Sequence, residues 1–141
     1  MPFHPYLFFG GNCREAFTRY QEIFGGELFV MDMKDAPQSD EQQIPPGKEH
    51  YVIHAALTFD GHLLMASDDP MTENFGPVHG MMVSFSTPDP GEAKRVFDAL
   101  AEGGTVTQPM METFFSPAWG MLTDRFGTPW MIGADQPANA G

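Results

Sequence analysis

A single cysteine, Cys13, stands in 141 residues. One thiol has no partner within the chain, so a disulfide framework and a cysteine-built zinc site are excluded. A reducing, cytoplasmic setting fits that composition. Basic residues are scarce too: 7 Lys and Arg face 19 Asp and Glu, for a net charge of -12. Phosphate backbones are held by clustered Lys and Arg, so no nucleic-acid partner is expected. No apolar run approaches the ~20 residues of a membrane-spanning helix, and no membrane partner is expected. The opening "MPFHPYLFFGG" lacks the basic and long apolar regions of a secretion signal. What remains is a chain that is 42% hydrophobic, with a length suited to one domain and a real core.

The chain writes one pattern twice. "REAFTRYQEIFGGELFV" begins at Arg14, and "GEAKRVFDALAEGGTVT" begins at Gly91. Both carry Glu-Ala, an aromatic residue four positions after the Ala, a large aliphatic three further on, Gly-Gly and a β-prone run. In the first copy, Phe3 to Phe9 reads as a strand. Asn12 is placed to cap a helix with Glu15 reaching back. Ala16, Phe17, Tyr20, Ile23 and Phe24 make one apolar helix face. Gly25-Gly26 ends the helix, and Glu27 to Met33 reads as a strand. In the second copy, Val78 to Ser86 is a strand and Asp89 a cap, with Pro90 at the first helical position and Glu92 in the box. Ala93, Val96, Phe97 and Leu100 form the apolar face, Gly103-Gly104 closes it, and Thr105 to Met110 is a strand.

A hairpin follows each copy. Tyr51 to Phe59 and His62 to Asp68 flank Asp60-Gly61, a strong two-residue turn signal. Trp119 to Thr123 and Thr128 to Ile132 flank "DRFG". Asp35 to His50 is a polar loop with three prolines, Asp69 to Pro77 a linker, and the tail from Gln136 frayed. These elements compose a single α+β domain, 1–141, of two βαβββ modules at about 1–69 and 70–141. Side by side they would make one longer curved mixed sheet, with helices on the convex side and a cleft on the other.

Three stretches, "PYLFFGGNCREAFTRYQEIFGGEL", "GHLLMASDDP" and "LTDRFGTPWMIG", resemble the vicinal-oxygen-chelate superfamily, which includes glyoxalase I, extradiol dioxygenases, and bleomycin and fosfomycin resistance proteins. They are most similar to its PhnB-like group, some members of which carry the label demethylubiquinone methyltransferase-like. The resemblance implies paired βαβββ modules, a homodimer, and, in the enzymes, metal ligands from the first and last strands of each module. It places a first ligand at His4, and His79 or Gly80 at the matching point of the second module. Its carboxylate ligands would fall near Met65 or Ser67 and at Met131, four residues after Gly127. None of these is a carboxylate, and His4 and His79 alone are a poor set for a divalent metal. No Gly-rich turn resembles a nucleotide-cofactor loop, so methyl transfer has no support in the residues.

Strand alternation and the Asp60-Gly61 turn sort the cleft. Leu7 and Phe9 should face the helix, leaving His4, Tyr6 and Phe8 toward the cleft. Phe59 should oppose His62, Thr58 Leu63, Ala56 Met65 and His54 Ser67. Ile53, Leu57 and Phe59 should pack on the helix. The cleft lining is then Tyr6, Phe8, Met65, Met82 and Met131, with His4, His54, Thr58, Ser67, His79 and Ser84 as polar points. Apolar walls with a few polar anchors suit a small organic ligand. The expected function is therefore a small-molecule-binding protein without a catalytic residue to name. No cofactor is expected, a divalent metal at His4 and His79 being the weaker alternative. That alternative is a metal-dependent lyase, isomerase or dioxygenase; a third is a structural or regulatory dimer with a filled cleft. Cys13, in the first turn of a helix, is a reactive thiol only if the helix dipole lowers its pKa.

Overall fold

The computed structural model describes residues 3–35, 46–70 and 79–135. Most of the polar loop, the linker from residue 71 and the tail from Gln136 lie outside the described residues. The chain forms two compact units, residues 1–75 and 76–141.

In the first unit, β1 (Tyr6–Phe9) leads into α1 (Cys13–Phe24). Then come β2 (Glu27–Asp32), a single 3-10 turn (Met33–Asp35), β3 (Val52–Phe59) and β4 (His62–Asp68). The sheet order is β1-β4-β3-β2, with β1 parallel to β4 and the other pairs antiparallel. β1 is shorter than expected because Pro5 has no N–H to give a ladder; its carbonyl still accepts from Met65 N at 3.2 Å. α1 buries Cys13, Ala16, Phe17, Tyr20 and Ile23, the face the 3.6-residue period picks out. That face packs on one side of the sheet, against Phe9, Ala55, Leu57, Leu64 and Ala66, all buried.

The start of α1 differs from expectation. Asn12 stands at the cap position but makes no side-chain capping bond among the described residues. Asp68, at the end of β4, does that work. Its Oδ1 accepts from Gly11 N at 2.9 Å and Cys13 N at 3.0 Å, and its Oδ2 from Val52 N at 2.9 Å. A carboxylate from the neighbouring strand satisfies the helix's orphan donors and complements its dipole. It also ties helix, β3 and β4 together, which a local cap would not.

The second unit repeats the plan. β5 (Val83–Thr87), α2 (Pro90–Ala101), β6 (Thr105–Met111), β7 (Trp119–Thr123) and β8 (Pro129–Ala134) give the order β5-β8-β7-β6. Here the local cap holds: Asp89 accepts from Gly91 N at 2.9 Å, with Pro90 at the first helical position. Glu92 does not complete a box; it accepts from Arg95 Nε at 2.9 Å instead. α2 buries Ala93, Val96, Phe97 and Leu100 against Leu122, Trp130 and Ile132. The β7–β8 turn is organised by Asp124. Its Oδ1 accepts from Phe126 N at 2.9 Å and Thr128 N at 3.0 Å, and its Oδ2 from Trp130 Nε1 at 2.9 Å.

The strands thus form two mixed four-stranded sheets, one per unit. The strand expected from Val78 begins only at Val83; Gly80, at φ +81°, already leaves the extended region. The Gly-Gly pairs serve more than helix ends. A Cβ on Gly26 would lie 2.3 Å from Thr58 O, and one on Gly104 would lie 2.3 Å from Thr123 O. In both units, glycine lets the chain leaving the helix press against the third strand.

Candidate functional site

Each sheet has one face covered by its helix and one that is not. On the first sheet the uncovered face is read from the register. Phe29 lies opposite Ala56, Ala56 opposite Met65, and Met65 beside Tyr6, so these four form a row across all four strands. Met31 lies opposite His54, and Phe8 beside Ser67, in the next row. Thr58, Leu63 and Glu27 follow on the other side. Ala56 contributes only a methyl group, so the face dips between Phe29 and Met65.

This face is aromatic and open. Tyr6 is 40% exposed, Phe8 56% and Phe29 51%. Globular chains seldom leave such side chains out unless something covers them in function. The Tyr6 and Phe8 rings stand 5.3 Å apart, Tyr6 and His54 6.0 Å, and Phe29 and His54 6.4 Å. Tyr6 Oη is 3.3 Å from His54 Nδ1. His54 is therefore a half-buried polar group ringed by Tyr6 and Phe29.

The pairings Phe59–His62, Thr58–Leu63 and Ala56–Met65 are as expected, and Leu57 is buried on the helix side. Ile53 is not: it is 38% exposed, while Val52 and Ala55 are buried. A bulge causes this. Met31 pairs with His54 but Asp32 with Val52, so one extra residue enters β3 and Ile53 is turned off the helix. The ladder of β3 and β4 runs from Ala55–Ala66 to Phe59–His62. Beyond it the Val52 N–H bonds the Asp68 carboxylate.

On the second sheet, Gln108, Met121, Met131 and Ser84 form the corresponding row, followed by Met111, Trp119, Gly133 and Ser86. Trp130 and Ile132 point into the helix layer, as expected. Met131 and Met65 are equivalent: each sits on the fourth strand of its unit, beside Ser84 and Tyr6 respectively. Two equal hydrogen bonds confirm the match, Asp69 N to Phe9 O and Asp135 N to Thr87 O, both 2.8 Å.

That register corrects one equivalence. His4 precedes Tyr6 by two residues, and the residue two before Ser84 is Met82. Met82, not His79 or Gly80, stands at the point matching His4. Met82 lies three residues beyond His79 and two beyond Gly80, and the pairing of Ser84 with Met131 sets that register. His4 and His79 are both exposed and lie outside the strands. Ser67 is buried on the uncovered face at 8% exposure, and Met131 is half-buried.

Among the described residues, no group of three His, Cys, Asp or Glu side chains is placed to hold a metal ion. Asp68 is buried, with its oxygens engaged by three backbone N–H groups. Cys13 is fully buried, and burial first, then the Asp68 charge, push its thiol up to about 12 despite Arg14. The helix dipole does not make it reactive. Sequence reasoning missed Phe29 and Met31, because both faces of β2 are apolar and alternation could not choose between them.

Two βαβββ units, each with its first and fourth strands parallel and a helix on one face, define the vicinal-oxygen-chelate class. Its fold also appears in a glyoxalase/bleomycin resistance protein/dioxygenase family enzyme from Burkholderia phytofirmans, at TM-score 0.59 and 14% identity over 94% of this chain and 97% of that one. Within the class, the chain belongs to the PhnB-like family described as 3-demethylubiquinone-9 3-methyltransferase, whose model matches residues 2–133. It is similar to protein PA1353 of Pseudomonas aeruginosa, with TM-score 0.86 and 38% identity over 97% of this chain and 99% of that one. It is similar to the PhnB protein of Bacillus cereus, with TM-score 0.74 and 28% identity over 95% and 99%. It is 34% identical to Protein YjdN of Escherichia coli (strain K12) over 94% of each chain.

The family description names methyl transfer, which requires a methyl donor. Gly10-Gly11 between β1 and α1 is where a glycine turn before a helix would cradle an anionic cofactor group. The N–H groups of Gly11 and Cys13 are already bonded to Asp68 there. The turn and helix start do not fit that role.

Proposed function

We propose that the protein binds a small ring-bearing organic molecule on the uncovered face of the first sheet, as a cytoplasmic binding protein rather than a methyltransferase. The observation that carries this is the exposed group Tyr6, Phe8 and Phe29 around the Tyr6–His54 hydrogen bond. Aromatic faces stack on a flat ring, Met65 and Met31 adapt to its edge, and the polar pair fixes its orientation. The family description mentions a ubiquinone, so an oxygen-substituted quinone ring is the first class to test. Calorimetric titration with a tail-less methoxylated benzoquinone checks the reading. Saturable binding should fall about tenfold in Phe29→Ala, a loss of ~1.4 kcal/mol that suits one stacked ring. Unchanged affinity in both Phe29→Ala and Phe8→Ala would refute it. Zinc or manganese added alone should leave the heat of mixing flat; tight binding of either would favour the metal-dependent lyase, isomerase or dioxygenase reading. Of the remaining expected contacts, His79, Met82 and Met131 belong to the second unit and carry no part of this reading.

A further inference from the structure

Among the described residues, one side-chain hydrogen bond lies on the uncovered face of the first sheet. Tyr6 Oη and His54 Nδ1 are 3.3 Å apart, one from the edge strand and one from the third strand, across β4. A phenol O–H is a stronger donor than a neutral imidazole N–H, and the bare imidazole nitrogen is the stronger acceptor. Tyr6 therefore donates and Nδ1 accepts. An imidazole with Nδ1 bare carries its proton on Nε2. His54 makes no other hydrogen bond among the described residues.

We infer that Tyr6 holds His54 in the Nε2–H tautomer, so the face offers a ligand one N–H donor framed by apolar side chains. This rests on the ring-binding reading and names its substrate class: a ring bearing an oxygen that accepts, such as a quinone or aryl ketone. A ring without an acceptor would leave that donor unpaired once the ligand excludes water, which costs affinity. Tyr6 is a positioning residue in this scheme, and His54 is the group that touches the ligand.

Two measurements test it. Long-range imidazole nitrogen spectra of the ligand-free protein, with His54 neutral, should show Nδ1 bare and Nε2 protonated. Tyr6→Phe should mix the tautomers, while Phe8→Leu should leave them alone. A protonated Nδ1 in the wild type, or no change in Tyr6→Phe, overturns the tautomer assignment. The second compares acetophenone with α-methylstyrene, alike in shape and differing in the C=O acceptor. The affinity ratio of the two should fall about fivefold in His54→Leu and less, about twofold, in Tyr6→Phe. An unchanged ratio in both overturns the acceptor assignment. Failure of both compounds to bind the wild type overturns the ring-binding reading and the ligand class with it, while the nitrogen spectra still decide the role of Tyr6.

Discussion

Two aspartates show how a single side chain organises each unit. Asp68 and Asp124 are each buried, and each carboxylate accepts at least three hydrogen bonds. Removing such an acceptor strands buried donors, so Asp68→Ala and Asp124→Ala should each cost about 3 kcal/mol in urea unfolding. Sequence reading could see Asp124 as a turn residue but not Asp68 as a helix cap, because 55 residues separate it from Cys13. Cys13 supplies a pH test. Its folded pKa, about 12, lies above the ordinary value of 9.0, so the folded state disfavours the thiolate. Its share of stability is whole below pH 9.0 and is lost as pH rises toward 12. Urea midpoints just below 9.0 and midway to 12 should differ more for the wild type than for Cys13→Ala. An equal difference would contradict the shift.

At the scale of elements, the repeat was readable because caps, apolar faces and Gly-Gly ends are local signals. α1 and α2 follow the 3.6-residue period, and the Asp60-Gly61 turn, with φ +49° and +76°, set the β3–β4 register. What escaped was non-local. The bulge that turns Ile53 outward depends on how β2 meets β3, and the start of β5 depends on Gly80 and on which residues find partners on β8. The Gly-Gly pairs separate local from tertiary causes. Gly25→Ala meets nothing within 4 Å and faces only its backbone conformation, φ +80° and ψ -160°, a cost of ~1–3 kcal/mol. Gly26→Ala adds a clash with Thr58 O and should cost clearly more, and Gly104→Ala should be costly without any φ strain, against Thr123 O. Thermal unfolding of the three variants checks that order.

For the whole molecule, no helix among the described residues is long and apolar enough to cross a membrane. Self-association is the expected state. The loop after β6 presents Phe114 at 95% exposure. It is pinned where Ser116 Oγ donates to Ala134 O at 2.6 Å and Thr113 N to Ser116 O at 2.8 Å. A rigid apolar tip of this kind invites burial by a second copy. Sedimentation should therefore show a dimer at micromolar concentration, weakened in Phe114→Ser; a wild-type monomer would contradict it. The central claim, that the uncovered face of the first sheet is a ring-binding surface, is tested most directly by methyl spectra of methionine-labelled protein titrated with the tail-less benzoquinone. Ring currents should shift Met65 and Met31, on that face, in a saturable way, while Met33, buried beneath the chain, stays still. Saturable binding with Met65 and Met31 unmoved would contradict the account.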